Sequence, residues 1–158
     1  PEEDFEGKQE GIIYRLRVED INGTPCNDIP IGKPWQVRMY VRLFKPLTDC
    51  VVGLGMVDSA DYAIHTSWTE PVDLAAGEYQ MVFRNDDIHF TNGKYYLCSG
   101  LSSGSRSVFY KGRYGYLNIT DALHEKASTI VKAKGTGIVL NQMKTSGTVS
   151  FRRRSRRR

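Results

Sequence analysis

The sequence lacks the motifs with which most proteins bind nucleotides, since neither G-x-x-x-x-G-K-[ST] nor G-x-G-x-x-G occurs in its 158 residues. Its three cysteines, Cys26, Cys50 and Cys98, are odd in number and widely spaced. They therefore favour neither a disulfide framework nor a zinc knuckle, and a reducing compartment suits them best. No apolar run approaches the roughly 20 residues of a membrane-spanning helix. These absences leave a globular domain as the expected class.

The excess of positive over negative charge in the chain comes from its last residues. The formal net charge is +4, and residues 152–158 contain six arginines, so the remainder carries 4 − 6 = −2. An arginine run of this kind can bind phosphates with little sequence preference. Because the body has no basic stripe and no RNA-binding aromatic strand, we assign residues 152–158 to an Arg-rich tail and expect no nucleic-acid partner.

Short segments rich in β-branched and aromatic residues recur along the chain, separated by turn-forming residues. The segments are IIYRLRVED, WQVRMYVRLF, CVVGLGMVD, YAIHTSW, YQMVF and KYYLCSGL, and the turns between them include NGT, IGKP, AAGE and TNGK. This regular succession of short strand-like segments and turns predicts an all-β sandwich or barrel. One short helix is expected at DALHEKA, and GTVSF is expected to form a last strand.

Alternation along each strand predicts which side chains face the core. The core row of WQVRMYVRLF comprises Val37, Met39, Val41 and Leu43. In YAIHTSW, Ile64 and Trp68 are expected to point inward, which places His65 and Ser67 outside. The outer row of CVVGLGMV comprises Val51, Gly53, Gly55 and Val57, so two glycines lie in it.

The outer face so defined combines aromatic rings, small residues and hydrogen-bonding groups. A sugar suits this combination, because its C–H faces pack on aromatic rings and its hydroxyls need groups that donate and accept. The carbohydrate-binding candidates are His65, Ser67, Tyr96, Tyr114, Tyr116 and Asn118. Three arginines are available for an anionic sugar, namely Arg38, Arg42 and Arg84. Tyrosine and arginine are also ordinary residues of exposed sheet faces.

Two acidic segments could suggest catalysis or metal binding. In RNDDIHF, Asp86, Asp87 and His89 lie close together, but a site would need a further convergent group, so a polar hairpin end is the better interpretation. In DSADY, Asp58 and Asp61 lack the ligand spacing of an EF-hand, which favours a tight turn. We therefore predict no catalytic residues and no metal ligands.

The order of these segments resembles the C-terminal domain of Wzt-type ATP-binding subunits of polysaccharide ABC exporters. The resemblance spans residues 10–125 and rests on the D-x-x-G turn at Asp20–Gly23, the strand start GKPWQVRMYV, the small-residue strand VVGLGMVD and the strand start GKYYL. The family pattern usually has a glycine at the turn after VVGLGMVD, where this chain reads Asp-Ser-Ala-Asp. The Arg-rich tail is not part of the pattern.

The resemblance implies an immunoglobulin-like or jelly-roll antiparallel β-sandwich over residues 11–151. It also implies a non-catalytic module that recognises an O-antigen polysaccharide, including an end-capped one, in the cytoplasm and couples its completion to export. Residues 1–10 would be a linker after an ATPase domain, which alone would use ATP and Mg²⁺. Expected partners are a membrane-spanning transporter subunit and a second copy of the chain, joined through the C-terminal strand.

Two other classes of function stay open. A capsid-like β-sandwich would bind nucleic acid or another anionic surface through residues 152–158. A glycoside-processing enzyme would need two facing carboxylates about 5 to 10 Å apart, which the sequence neither shows nor excludes.

Overall fold

The computed structural model describes residues 9–121, and these residues form strands and turns. The strands are β1 (Gly11–Asp20), β2 (Asp28–Pro30), β3 (Trp35–Leu43), β4 (Leu47–Val57), β5 (Ala63–Trp68), β6 (Val72–Leu74), β7 (Gly77–Asn85), β8 (Gly93–Ser103) and β9 (Arg106–Thr120). The predicted helix at DALHEKA, the strand GTVSF and the Arg-rich tail lie outside the described residues.

Two sheets pack face to face as a β-sandwich. The small sheet has the order β1-β3-β7, and the large sheet has the order β2-β9-β8-β4-β5, with β6 paired to β4. The pairing of β2 with β9 is parallel and the other pairings are antiparallel. The predicted β-sandwich is therefore confirmed, with one parallel pair added to the expected antiparallel arrangement.

The core lies between the inner faces of the two sheets. From the small sheet it receives the predicted row of β3, in which Val37, Met39 and Val41 are fully buried. Leu97 of β8 and Leu117 of β9 are equally buried on the opposite side. Alternation thus identified the inner face of β3 correctly, because a strand in the middle of a three-stranded sheet keeps a regular pleat.

A buried carboxylate on the small sheet joins β1 to β3. Glu19 is 1% exposed and accepts hydrogen bonds from Gln36 Nε2 over 2.9 Å and from Arg38 Nε over 3.1 Å. Burial by itself would raise the pKa of Glu19, but the hydrogen bonds from Arg38 and Gln36 and the charges of Arg38 and Arg17 outweigh it and lower that pKa. The carboxylate is therefore held ionised as part of the fold.

Within the described residues the strand pairing of the large sheet is irregular at four places, and two of these bulges redirect candidate side chains. In β5, one extra residue lies opposite the step from Met56 to Val57, because Met56 pairs with His65 while Val57 pairs with Ala63. In β9, the pairing moves from Gly115 to Lys111 while β8 advances by two residues. A bulge changes which face the following side chains occupy, and both bulges lie within the predicted binding region.

Candidate functional site: an aromatic face on the large sheet

The outer face of the large sheet carries exposed aromatic side chains over small residues, and we call it the aromatic face. It comprises Thr66 and Trp68 of β5, Gly53 and Gly55 of β4, Lys94, Tyr96, Cys98 and Gly100 of β8, and Tyr110, Arg113, Tyr116 and Asn118 of β9. The register aligns Trp68, Gly53, Gly100 and Tyr110 in one row across four strands. Three strand spacings separate the ends of that row, which is roughly 14 Å.

Trp68 and Tyr110 present their rings to solvent at the two ends of this row. Their exposed fractions are 69% and 70%. A β-carbon built on Gly53 would lie 3.3 Å from Cδ1 of Trp68, and one built on Gly100 would lie 3.9 Å from Cδ2 of Tyr110. The two rings therefore lean over positions without side chains, and the glycines let both rings lie close to the sheet.

Cations cover the other two rings of the face. The guanidinium of Arg113 lies 4.3 Å from the ring centre of Tyr96, and the ammonium of Lys94 lies 4.5 Å from that of Tyr116 and 5.3 Å from that of Tyr96. All three contacts are cation–π interactions. A ligand that stacked on Tyr96 or Tyr116 would have to displace these cations, whereas Trp68 and Tyr110 carry no such cover among the described residues.

An ion pair borders the face where the β4–β5 turn meets β9. Arg113 Nε donates to Asp61 Oδ1 over 2.8 Å, and Arg113 Nη2 donates to the carbonyl of Ser59 over 3.1 Å. The hydrogen bond from Arg113 lowers the pKa of Asp61. The turn itself is ordered by Asp58, whose Oδ1 accepts from the backbone N–H groups of Ala60 and Tyr62. The predicted tight turn at DSADY is confirmed.

A groove opens on the opposite side of β5, between the two sheets. Its volume is about 270 Å³, and its lining includes Trp35, Met56, Phe83, Ile88 and Phe90, with His65 and Ser67 on the β5 side. His65 Nε2 and Ser67 Oγ lie 2.9 Å apart, and the His65 ring meets Phe90 edge-on. The polar side-chain atoms of His65 and Ser67 are thus hydrogen-bonded to each other, and most of the remaining lining is apolar.

The predicted direction of His65 and Ser67 was wrong, and so was that of Trp68. His65 pairs with buried Met56 and Ser67 pairs with buried Leu54, so both face the groove rather than the outside. Trp68, expected in the core, stands on the outer face beside Gly53. The extra residue in β5 is the cause, since Ile64 packs inward as expected and every side chain after the bulge is reversed.

The predicted exposure of Tyr114 was also wrong. Its side chain is 2% exposed, and its hydroxyl donates to the carbonyl of Ile13 in the small sheet over 2.9 Å. The bulge in β9 turns this residue inward, so Tyr114 is a structural link between the sheets. Tyr116 and Asn118, which follow the bulge, do lie on the outer face, where Asn118 Nδ2 donates to Asp28 Oδ1 over 2.7 Å.

The three predicted arginines lie away from the aromatic face and are engaged by carboxylates. Arg38 and Arg42 belong to the small sheet, where they pair with Glu19 and Glu78. Arg84 pairs with Asp86 across 2.7 Å and reaches the rim of the groove with His65 and Ser67. The structure thus divides the nine candidates among the aromatic face (Tyr96, Tyr116, Asn118), the groove (His65, Ser67, Arg84), the small sheet (Arg38, Arg42) and the core (Tyr114).

Sequence reasoning missed the most exposed rings of the face. Tyr110 follows buried Phe109 in β9, so alternation could have placed it outside. Trp68 required knowledge of the bulge in β5, and Arg113 and Asp61 required knowledge of which turn lies beside β9. Within residues 9–121, no three His, Cys, Asp or Glu side chains gather as metal ligands would, and no helix there is long and apolar enough to cross a membrane.

Comparison with known proteins identifies the family. The family model of the Wzt C-terminal domain matches residues 2–132. The crystal structure of the C-terminal domain of Wzt superposes with a TM-score of 0.68 at 14% identity, covering 91% of this chain and 86% of that one.

A second solved structure matches only part of the chain. A beta-glucosidase from Listeria innocua in complex with gluconolactone is 14% identical over 65% of this chain and 16% of its own, and its TM-score of 0.37 supports no argument. A search among curated proteins found no match. The family model covers most of the chain and the solved domain shares its fold, and the chain accordingly belongs to the Wzt C-terminal domain family.

Proposed function

We propose that this domain binds a polysaccharide on the aromatic face and catalyses no reaction. The observation that carries the proposal is the row in which Trp68 and Tyr110 flank Gly53 and Gly100. Pyranose rings pack their C–H faces on such exposed rings, and the two glycines add no side chain that would stand up between the rings. A row of roughly 14 Å has room for more than one sugar residue.

The family supports the biological setting of this proposal. A Wzt C-terminal domain belongs to an ABC exporter subunit, so we infer that the ligand is an O-antigen polysaccharide met in the cytoplasm at the inner membrane. Binding of a finished, end-capped chain would then couple its completion to export. ATP and Mg²⁺ would act in an ATPase domain of the same subunit, which would contact the membrane-spanning partner.

We also propose that two copies of the domain pair through their C-terminal strands. Strand β5 ends the large sheet and β7 ends the small sheet among the described residues. An edge strand offers unpaired N–H and C=O groups to an added strand. The segment Gly147–Phe151 has the β-branched and aromatic character of such a strand, and exchange between protomers would give a symmetric dimer.

Binding of surface polysaccharide from the organism that encodes the chain tests the main proposal. Isothermal titration would compare the wild type with Trp68→Ala and Tyr110→Ala. Each variant should bind at least about fivefold more weakly, since an aromatic stacking contact is worth roughly 0.5–1.5 kcal/mol beyond the area it buries. Phe44→Ala is the matched control, because Phe44 is an exposed ring outside the face. Equal affinities of all four proteins would refute the proposed site.

A further inference from the structure

Stacking on Trp68 and Tyr110 makes no use of the ion pair at the border of the aromatic face. We propose that Asp61 and Arg113 bind two neighbouring hydroxyl groups of a sugar that lies on this face. The inference rests on the proposed function and deepens it, because it names a vicinal diol as the chemical group that the site reads.

Both residues keep polar atoms available after forming their pair. Arg113 uses Nε for Asp61 and Nη2 for Ser59, which leaves the N–H groups of Nη1. Asp61 uses Oδ1, and within residues 9–121 its Oδ2 has no hydrogen-bond partner. The side chains are 63% and 43% exposed for Asp61 and Arg113. Within residues 9–121, one acceptor on Asp61 and one donor group on Arg113 thus remain without a hydrogen-bond partner, on side chains that are accessible from solvent.

The pair adjoins one ring of the face. Arg113 packs on Tyr96 with 4.3 Å from its guanidinium carbon to the ring centre. The same guanidinium donates to Asp61 Oδ1 over 2.8 Å, so Arg113 joins the ring to the carboxylate. A sugar that lies on the face beside Tyr96 therefore meets the guanidinium and the carboxylate at the border.

The backbone at Arg113 is strained. Arg113 has φ 48°, in the left-handed region where a β-carbon is unfavourable and glycine is the usual residue. Asp61 has φ 65° and Asp49, outside the face, has φ 45°, but aspartate adopts this region in turns. Glycine at residue 113 would relieve the strain and remove half of the pair, so the strain at Arg113 accompanies a specific charged contact.

The chemistry of the pair suits a diol. A carboxylate only accepts hydrogen bonds and a guanidinium only donates them, whereas a hydroxyl does both. One sugar hydroxyl can donate to Asp61 Oδ2 while its neighbour accepts from Arg113 Nη1, and charged partners make these hydrogen bonds strong. Because the pKa of Asp61 lies below its ordinary value, the carboxylate is ionised at neutral pH.

The test uses the same surface polysaccharide in two forms. One form is native, and the other is oxidised with periodate, which cleaves the C–C bond between neighbouring hydroxyl groups, and is then reduced with borohydride. The proteins are the wild type, Asp61→Asn and Arg113→Lys, with Glu78→Gln and Arg42→Lys as matched controls. The control pair is also an exposed arginine–carboxylate pair, with exposures of 45% and 57%, but lies on the small sheet. Asp61→Asn keeps an oxygen for Arg113 and so spares the turn, while its other group becomes a donor.

The expected result is that Asp61→Asn and Arg113→Lys weaken native binding about tenfold or more, as for loss of a hydrogen bond to a charged group. The controls should stay within twofold, and periodate treatment should reduce wild-type binding by a similar factor. The inference would be overturned if Asp61→Asn bound native glycan with wild-type affinity, or if the wild type bound the oxidised glycan undiminished. Weaker binding by Trp68→Ala would then still support the aromatic face as the binding site. If the wild type bound no native glycan, the proposed function would fail as well.

Discussion

The indole of Trp68 lies over the backbone of Gly53, so closely that a β-carbon at residue 53 would come within 3.3 Å of indole Cδ1 and 3.6 Å of Nε1. The ring and the glycine belong to neighbouring strands in register. This contact sets the height of the aromatic ring above the sheet. It also makes residue 53 a place where the face can be altered without touching the core.

Gly53→Val should displace the indole and weaken polysaccharide binding about fivefold, with little change in the free energy of unfolding because valine favours strands. Titration of the glycan and a denaturant melt would measure the two effects. Tryptophan fluorescence adds a direct readout, since Trp35 is 6% exposed and Trp68 is 69% exposed. Acrylamide should quench mainly Trp68, and glycan should protect it. Gln80→Val on the small sheet is the control. An equal loss of glycan affinity in both variants would contradict the prediction.

Tyr114→Phe should destabilise the domain and leave glycan binding unchanged. The substitution removes the buried hydrogen bond to the carbonyl of Ile13, which is worth about 1 kcal/mol, with a further penalty for the unsatisfied carbonyl. Urea denaturation would measure the loss. Tyr116→Phe is the control, because this residue is exposed and should cost less than about 0.5 kcal/mol. If Tyr114→Phe weakened glycan binding without lowering stability, the buried position of Tyr114 would be contradicted and the predicted surface position supported.

Glu19→Gln should lower stability at neutral pH by roughly 2 kcal/mol, because hydrogen bonds from charged Arg38 are weakened. The folded-state pKa of Glu19 is lowered, so its contribution is present above the ordinary glutamate pKa of about 4.3 and is lost as the pH falls through the lower folded value. The stability difference between wild type and Glu19→Gln should therefore shrink as the pH falls below the ordinary glutamate pKa of about 4.3. Chemical denaturation across that range would show a constant difference if the linkage were absent.

Removal of residues 152–158 should leave the melting temperature, the oligomeric state and glycan affinity unchanged. Removal from Gly147 onward should shift the domain toward monomer, since it deletes the proposed exchanged strand. Sedimentation velocity on the two truncations would distinguish these outcomes. Loss of function on removing the arginines alone would instead favour the alternative in which the tail binds an anionic partner.

The wrongly predicted side-chain directions in β5 and β9 share one physical cause. The outward assignments of His65 and Tyr114 both assumed an unbroken alternation of side chains along a strand. Each strand contains a bulge, at Ile64 in β5 and near Arg113 in β9, and a bulge reverses or repeats a face. A bulge has no reliable local signature here, because it depends on the register of the neighbouring strand.

The all-β class, the turn at Asp58 and the core row of β3 were predictable from the sequence, since alternation and turn chemistry are local properties of the chain. Which rings share a surface depends instead on how the strands pair. Register across four strands aligned Trp68 with Tyr110 over two glycines, and the packing of a turn against β9 joined Asp61 to Arg113. These relationships join residues distant in sequence, and they arise only when the strands pair.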